Sequence, residues 1–320
     1  MSNSKDSALG LDANGPARRH VLKAAIAIPA TVLIGAGLSR EVAQTAAPPS
    51  DPDDWHAYLT DEERQHPLAK YWYQTAPIAD DVLQALRRGP VSTDRILPWN
   101  ERTKLSDPGD LPVENGWCML DDGSGFVAVR TKFPGCTAAM IDWWFEWAQR
   151  GENIRYKIWY PGAHYGMAQQ PTPDAVRSPG DKVYWGMSRF PVEDVGMGVA
   201  RLRLDFYNPR DFGFKSEPVD GTILCARVGF AEGWFKHSEF IHHVRPVQGG
   251  VEMRSRFWMA RHPEAMAGGQ GILGALLRVD PIKRRMLKPD AAKGMAFHCA
   301  QEYSQLASFL PELYAQYGGK

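Results

Sequence analysis

Residues 291–317, AAKGMAFHCAQEYSQLASFLPELYAQY, constrain this chain more than any other stretch. The pattern is helical. Phe297, Ala300, Gln301, Ser304, Leu306 and Phe309 are spread around it so that no side is fully polar. A helix that is apolar on most of its circumference has to be surrounded. Pro311 is expected to end it, because the ring and the missing N–H oppose a helix interior. The material to surround it lies upstream. Residues 125–133, 199–209, 221–230, 238–247 and 250–260 alternate like strands, with Leu202, Leu204 and Phe206 on one face and QGG (248–250) as a hairpin turn. IRYKIWYP (154–161) alternates as well and predicts a strand. Residues 137–150 predict a helix capped by Thr137, with Met140, Ile141, Trp144, Phe145 and Trp147 on its apolar face. A short helix, several antiparallel strands and a long terminal helix imply an α+β fold, a curved sheet wrapped around that helix. The space between sheet and helix is a natural ligand cavity.

The N-terminus reads differently. ARRHVLK (17–23) carries a twin arginine, and an apolar stretch of 15 residues follows from Ala24 to Leu38. A membrane span needs about 20, so the segment reads as a twin-arginine export signal covering 1–46, cleaved near Ala46. The mature protein is then expected to be periplasmic or otherwise exported, with no stable membrane insertion. Residues 47–115 read as a proline-rich linker and a small helical N-terminal lobe, in which Thr60 and Glu63 stand in capping-box position. Residues 116–320 form the main domain. The 320 residues carry no net charge, which argues against a nucleic-acid partner. The four cysteines, Cys118, Cys136, Cys225 and Cys299, contain no CxxC pair, so a cysteine zinc site is not expected. In an exported chain they could form disulfides or stay as free buried thiols.

His298 and Glu302 stand four apart on the terminal helix. At that spacing two side chains share a face about 5–6 Å apart at Cβ, close enough to converge on one ion. HxxxE alone is weak, but His164 in WYPGAHYG and Glu193 in FPVEDVG complete a set of two histidines and two carboxylates. Asp194 competes with Glu193 for that role. Zinc suits such donors best, with iron or manganese after it, at one ion per chain.

The motifs MIDWWFEW, RYKIWYPGAH, VEDVG, GVEMRSRFW and FHCAQEYSQLASFLPELY, in this order over residues 115–320, resemble the 2,4-diacetylphloroglucinol hydrolase family, which includes phloretin hydrolase. The resemblance implies a Bet v 1-like helix-grip domain behind a small helical N-terminal region. It implies zinc held by His164, Glu193, His298 and Glu302, and hydrolysis of the C–C bond between an acyl group and a phenolic ring of a small aromatic ketone. By family analogy a homodimer would suit the N-terminal region. His242 and His243 point to opposite faces if they lie in a strand, and the family pattern favours His243 as the catalytic one. Tyr156 is a candidate phenol donor to the substrate's ring hydroxyls. The competing class is a helix-grip protein that carries an apolar aromatic ligand without chemistry.

Other features read as structure. Trp143, Trp144 and Trp147 have the spacing of core residues. Arg254, Arg256 and Glu252 share a strand face as a charge ladder. KRRMLK (283–288) reads as a solvated stretch. GQGILG (269–274) matches GxGxxG but lacks the strand that such a motif requires.

Overall fold

Alternation in the sequence becomes a sheet whose two faces are both covered. The computed structural model describes residues 55–168, 180–233, 235–261, 264–265 and 279–318, all within one unit, Ser39–Lys320. The export segment, the linker to residue 54, the stretch after Ala168 and GQGILG lie outside the described residues. Among the described residues, the strands are β1 (Gly116–Met119), β2 (Gly125–Pro134), β3 (His164–Ala168), β4 (Ser188–Asp194), β5 (Val199–Tyr207), β6 (Thr222–Phe230), β7 (Phe235–Val247), β8 (Gly250–Met259) and β9 (Glu264–Ala265). They run antiparallel in the order β1-β2-β8-β7-β6-β5-β4-β3, and β9 pairs with one end of β7. The β7–β8 hairpin closes at Val247↔Gly250, with Gly249 at φ +81° in the left-handed region that glycine adopts without steric cost.

Among the described residues seven α-helices accompany the sheet: α1 (Asp61–Gln65), α2 (Ala69–Tyr73), α3 (Asp80–Arg87), α4 (Ala138–Trp147), α5 (Ile154–Lys157), α6 (Asp280–Met286) and α7 (Ala291–Tyr317). Val127, Val129, Phe240, Val244, Met253 and Phe257 of the strands pack against Cys299, Tyr303, Leu306 and Leu310 of α7 and Trp144 of α4. The alternate residues, among them Phe126, Ile223, Ile241 and Trp258, face an outer layer of Leu97, Leu105, Val113 and Phe212. This is an α+β fold with an open antiparallel sheet and a long C-terminal helix.

Several expectations change. α7 continues through Pro311 to Tyr317. A proline costs a helix interior about 3 kcal/mol. Leu306, Phe309, Leu310 and Leu313 are all buried around it, and at about 1.5–3 kcal/mol each their burial outweighs the break. IRYKIWYP is helix and turn, not strand. Tyr156, Lys157 and Ile158 are buried in succession, which a one-sided strand cannot do but a short helix can. The predicted N-terminal helices are three short ones, interrupted around Pro67 and Pro77, and the Thr60–Glu63 capping box forms. Their core residues Leu59, Leu68, Tyr71 and Leu86 belong to the same cluster as α7. KRRMLK is not simply solvated: Lys283 is buried on α6 and pairs with Asp122. The four cysteines are buried free thiols. No helix among the described residues is long and apolar enough to cross a membrane.

Candidate metal centre

His164 opens β3 and stands directly opposite Glu193 of β4 in the strand register. Opposed residues on antiparallel strands keep their Cβ atoms about 4.5–5.5 Å apart. His298 and Glu302 come from one face of α7. The β4–β5 turn brings helix and strands together at Gly196, where φ is +85° and an added Cβ would lie 2.6 Å from the Cα of Gly294. No side chain fits there, so the turn meets α7 backbone to backbone, one helical turn before His298. Asp194 holds this turn. Its Oδ1 accepts from the N–H groups of Gly196 and Gly198 (2.8 and 2.9 Å), and its carbonyl accepts from Nδ1 of His298 (3.0 Å). Asp194 is therefore the scaffold and Glu193 the carboxylate that enters the site.

The four side chains converge. His164 Nε2 lies 3.2 Å from Glu193 Oε2, 3.4 Å from His298 Nε2 and 3.6 Å from Glu302 Oε2. His298 Nε2 is 3.8 Å from each carboxylate. Ligand bonds of about 2.0–2.2 Å in a tetrahedral site put ligand atoms roughly 3.3–3.6 Å apart. The donors of His164, Glu193 and His298 form the tightest group, all within 4.8 Å of one another, and Glu302 joins through its approach to both imidazoles. All four residues are buried.

The proton inventory tests the fit. His164 Nδ1 is 3.1 Å from the Tyr156 carbonyl, and His298 Nδ1 is 3.0 Å from that of Asp194. A carbonyl only accepts, so each Nδ1 carries a proton. In neutral imidazoles both Nε2 atoms then present lone pairs to each other and to two carboxylates. That arrangement is repulsive unless positive charge stands among them, and the Nδ1-to-carbonyl bonds are how metal-binding histidines are commonly oriented. The titration behaviour agrees. Burial opposes a charge on Glu193, yet the hydrogen bond and charge of His164, the charge of His298 and the Tyr156 hydroxyl hold its carboxyl down to about 2. Glu302, buried and facing the Glu193 charge, is pushed well above the usual range. Burial lowers His298 to about 4. One cation among these atoms would let both carboxylates ionise.

Tyr156 serves the scaffold. Its ring stacks on His164 (centroids 4.1 Å apart, planes within 4°), and its hydroxyl donates to Glu193 Oε2 at 2.5 Å. The proton expected to reach a substrate hydroxyl is thus committed to Glu193. His243 is a clearer correction. It shares the outer face with Ile241, beside Ser106 (3.5 Å) and the arginines of β8, away from α7. Strand alternation puts His242 on the inner face instead. There Nε2 of His242 is 2.9 Å from the Tyr303 hydroxyl and Nδ1 is 2.8 Å from Ser255 Oγ. Sequence reasoning missed Tyr160, a half-buried ring 4.9 Å from His298 and 5.8 Å from His164, although its position four residues after Tyr156 was a signal. It also missed Glu114, the buried partner of Arg254 and Arg256 (2.6 and 2.7 Å), while Glu252 pairs with Arg245. A cleft of about 480 Å³ lies elsewhere, lined by Trp185, Arg203 and Asp205, and includes none of the four converging residues.

Known proteins match this chain over most of its length. The phloretin hydrolase of Eubacterium ramulus is 32% identical over 263 residues, covering 81% of this chain and 93% of the relative. The 2,4-diacetylphloroglucinol hydrolases of a Pseudomonas species and of Pseudomonas protegens are each 30% identical over 266 residues, covering 80% of this chain and 90% and 86% of theirs. The family model described as the DAPG hydrolase PhiG domain matches residues 96–315, starting upstream of the motif-bearing stretch. With matches of this extent, the chain belongs to the DAPG hydrolase PhiG domain family.

Proposed function

We propose that this chain is a zinc-dependent hydrolase that cleaves the C–C bond between an acyl group and a polyhydroxylated phenolic ring. The convergence of His164, Glu193, His298 and Glu302, with each Nδ1 donating to a backbone carbonyl so that both Nε2 atoms face the carboxylates, is the observation that carries this reading. The substrates in the relatives' names carry an acyl group on a carbon of a phenolic ring, so their hydrolysis is C–C cleavage. The α+β arrangement supports a Bet v 1-like helix-grip assignment.

A zinc ion bound here would polarise the substrate carbonyl and lower the pKa of a coordinated water towards 7. The protein's share is positioning. Tyr156 orients His164 through its carbonyl and ring, and Glu193 through its hydroxyl. The Asp194 carbonyl fixes the His298 ring. Tyr160 lies half exposed against both imidazoles and marks the side of approach. Burial keeps its phenol protonated, with the Glu302 and Asp194 charges adding to the effect. His242 is the inner-face imidazole, held between the Tyr303 hydroxyl and Ser255 Oγ, and burial lowers it to about 3, so it is neutral at pH 7. In the net reaction water adds a hydroxyl to the acyl carbon. The acyl–ring bond breaks with its electron pair on the ring, and the ring carbon takes a proton. Ring hydroxyls ortho and para to the acyl group hold that pair as an enolate.

The test is elemental analysis of protein purified without chelator, followed by turnover of acylphloroglucinols with chromatographic detection of the carboxylic acid and the deacylated phenol. About one zinc per chain and both products are expected. Protein that takes up no zinc, or products lacking the added water, would count decisively against it. The twin-arginine segment also supports export. N-terminal sequencing of protein from the periplasmic fraction should find a start near residue 47, and accumulation of the intact chain in the cytoplasm would refute that route.

A further inference from the structure

The four converging side chains come from two sides of the site. His164 and Glu193 lie on the β3–β4 edge, supported by Tyr156 of α5, while His298 and Glu302 lie on α7. Residues 55–76 run across both sides. Their first half is fastened to α5 and β3. Lys157, buried next to Tyr156, donates to Glu63 Oε2 (2.7 Å) and to the Tyr58 carbonyl (3.1 Å). Trp55 packs against Gly166, two residues after His164, so closely that an added Cβ would come within 2.2 Å of its ring. The second half is fastened to α7. Gln305, fully buried, donates to the carbonyls of Tyr71 (2.9 Å) and Gln74 (2.8 Å) and accepts from the Ala76 N–H (2.7 Å). Gln301 donates to the Ala76 carbonyl (2.7 Å), and the Tyr71 ring packs on Phe309 at 5.0 Å. Gln301 and Gln305 flank Glu302 on the helix.

We propose that residues 55–76 act as a brace that sets the distance between the two halves of the metal centre, with Lys157 and Gln305 as its positioning residues. This rests on the metal-binding reading above. A buried ammonium held by a carboxylate and a carbonyl, and a buried amide held by two carbonyls and an N–H, all of one segment, fix that segment more firmly than apolar contact does, because releasing it leaves both groups unpaired. An ion held from both sides discriminates against small errors in spacing, so a loosened brace should weaken metal binding as other supporting contacts do, by about 10–100-fold.

The experiment measures zinc affinity of the full chain by competition with a chromophoric chelator, for wild type, Lys157→Met, Lys157→Arg, Gln305→Leu and the milder Gln301→Leu. Ile241→Ala, in the outer layer, serves as a control for general destabilisation, and circular dichroism identifies the variants that fold. The expected result is zinc binding weakened 10–100-fold in Lys157→Met and Gln305→Leu, largely rescued in Lys157→Arg, and unchanged in Ile241→Ala. Should either of the first two fail to fold, Gln301→Leu carries the test. Wild-type affinity in the brace variants, or a loss that follows melting temperature regardless of location, overturns the brace and leaves the metal centre standing. Wild-type protein that binds no zinc overturns both.

Discussion

Replacing Tyr156 with Phe removes one hydroxyl and leaves the ring stacked on His164. The hydroxyl donates to Glu193 at 2.5 Å in a fully buried setting. A hydrogen bond to a charged group contributes about 1.5–3 kcal/mol, equivalent to roughly 10–150-fold in an equilibrium constant. Losing a supporting contact to a metal ligand costs about 10–100-fold in affinity, so the two estimates agree. The Tyr156 hydroxyl also helps to hold the Glu193 carboxyl low. Its loss should raise that carboxyl, and the pH at which zinc binding is half complete should move upward. The assay is chelator competition across pH, paired with kcat and KM on an acylphloroglucinol at saturating zinc. Weaker zinc binding with kcat largely restored by added zinc is expected. Unchanged zinc affinity with a collapsed kcat would show that the phenol acts on the substrate, and the scaffold role argued from this hydrogen bond would be wrong.

Two further outcomes follow from the rest of the structure. Glu114→Gln should strand the fully buried guanidinium groups of Arg254 and Arg256, costing about 3–5 kcal/mol in urea unfolding; a cost below 1 kcal/mol would mean that the arginines find other partners. His242 and His243 are buried, and burial lowers each to about 3, with the Arg254, Arg245 and Arg256 charges adding to the effect on His243. Since their folded values lie below the unfolded 6.5, stability is complete above pH 6.5 and falls as pH drops towards 3. By pH 4.5 each should cost about 2–3 kcal/mol. Unfolding midpoints measured across this range should fall accordingly, and His243→Leu should flatten the slope; an unchanged slope would refute the assignment.

Local pattern carried much of this in the sequence. Period-two alternation marked β2 and β5–β8, because successive side chains of a strand go to opposite faces and meet different layers. The terminal helix showed itself by lacking a polar face. His298 and Glu302 were legible because helical spacing fixes which side chains share a face. Where the sequence misled, the cause was burial from a direction that no local pattern encodes. IRYKIWYP looks like a strand because Lys157 reads as exposed, yet Glu63 and the Tyr58 carbonyl bury it from nearly a hundred residues away. Pro311 looks like a terminator because propensity ignores what four buried side chains contribute around it.

The choice between His242 and His243 shows the same division. Alternation determined that the two face opposite ways. Which one meets α7 depends on the register of β7 against β6 and β8, and a shift of one residue would exchange them. The sequence by itself determined the strands β2 and β5–β8, the helix α4 and most of α7, and the placing of His298 and Glu302 on one helical face. The tertiary structure decided that His164 and Glu193 stand opposite each other, that a glycine contact lets α7 reach them, and that residues 55–76 brace the two sides. Those relations join residues far apart in the chain, and only packing of the whole chain sets them.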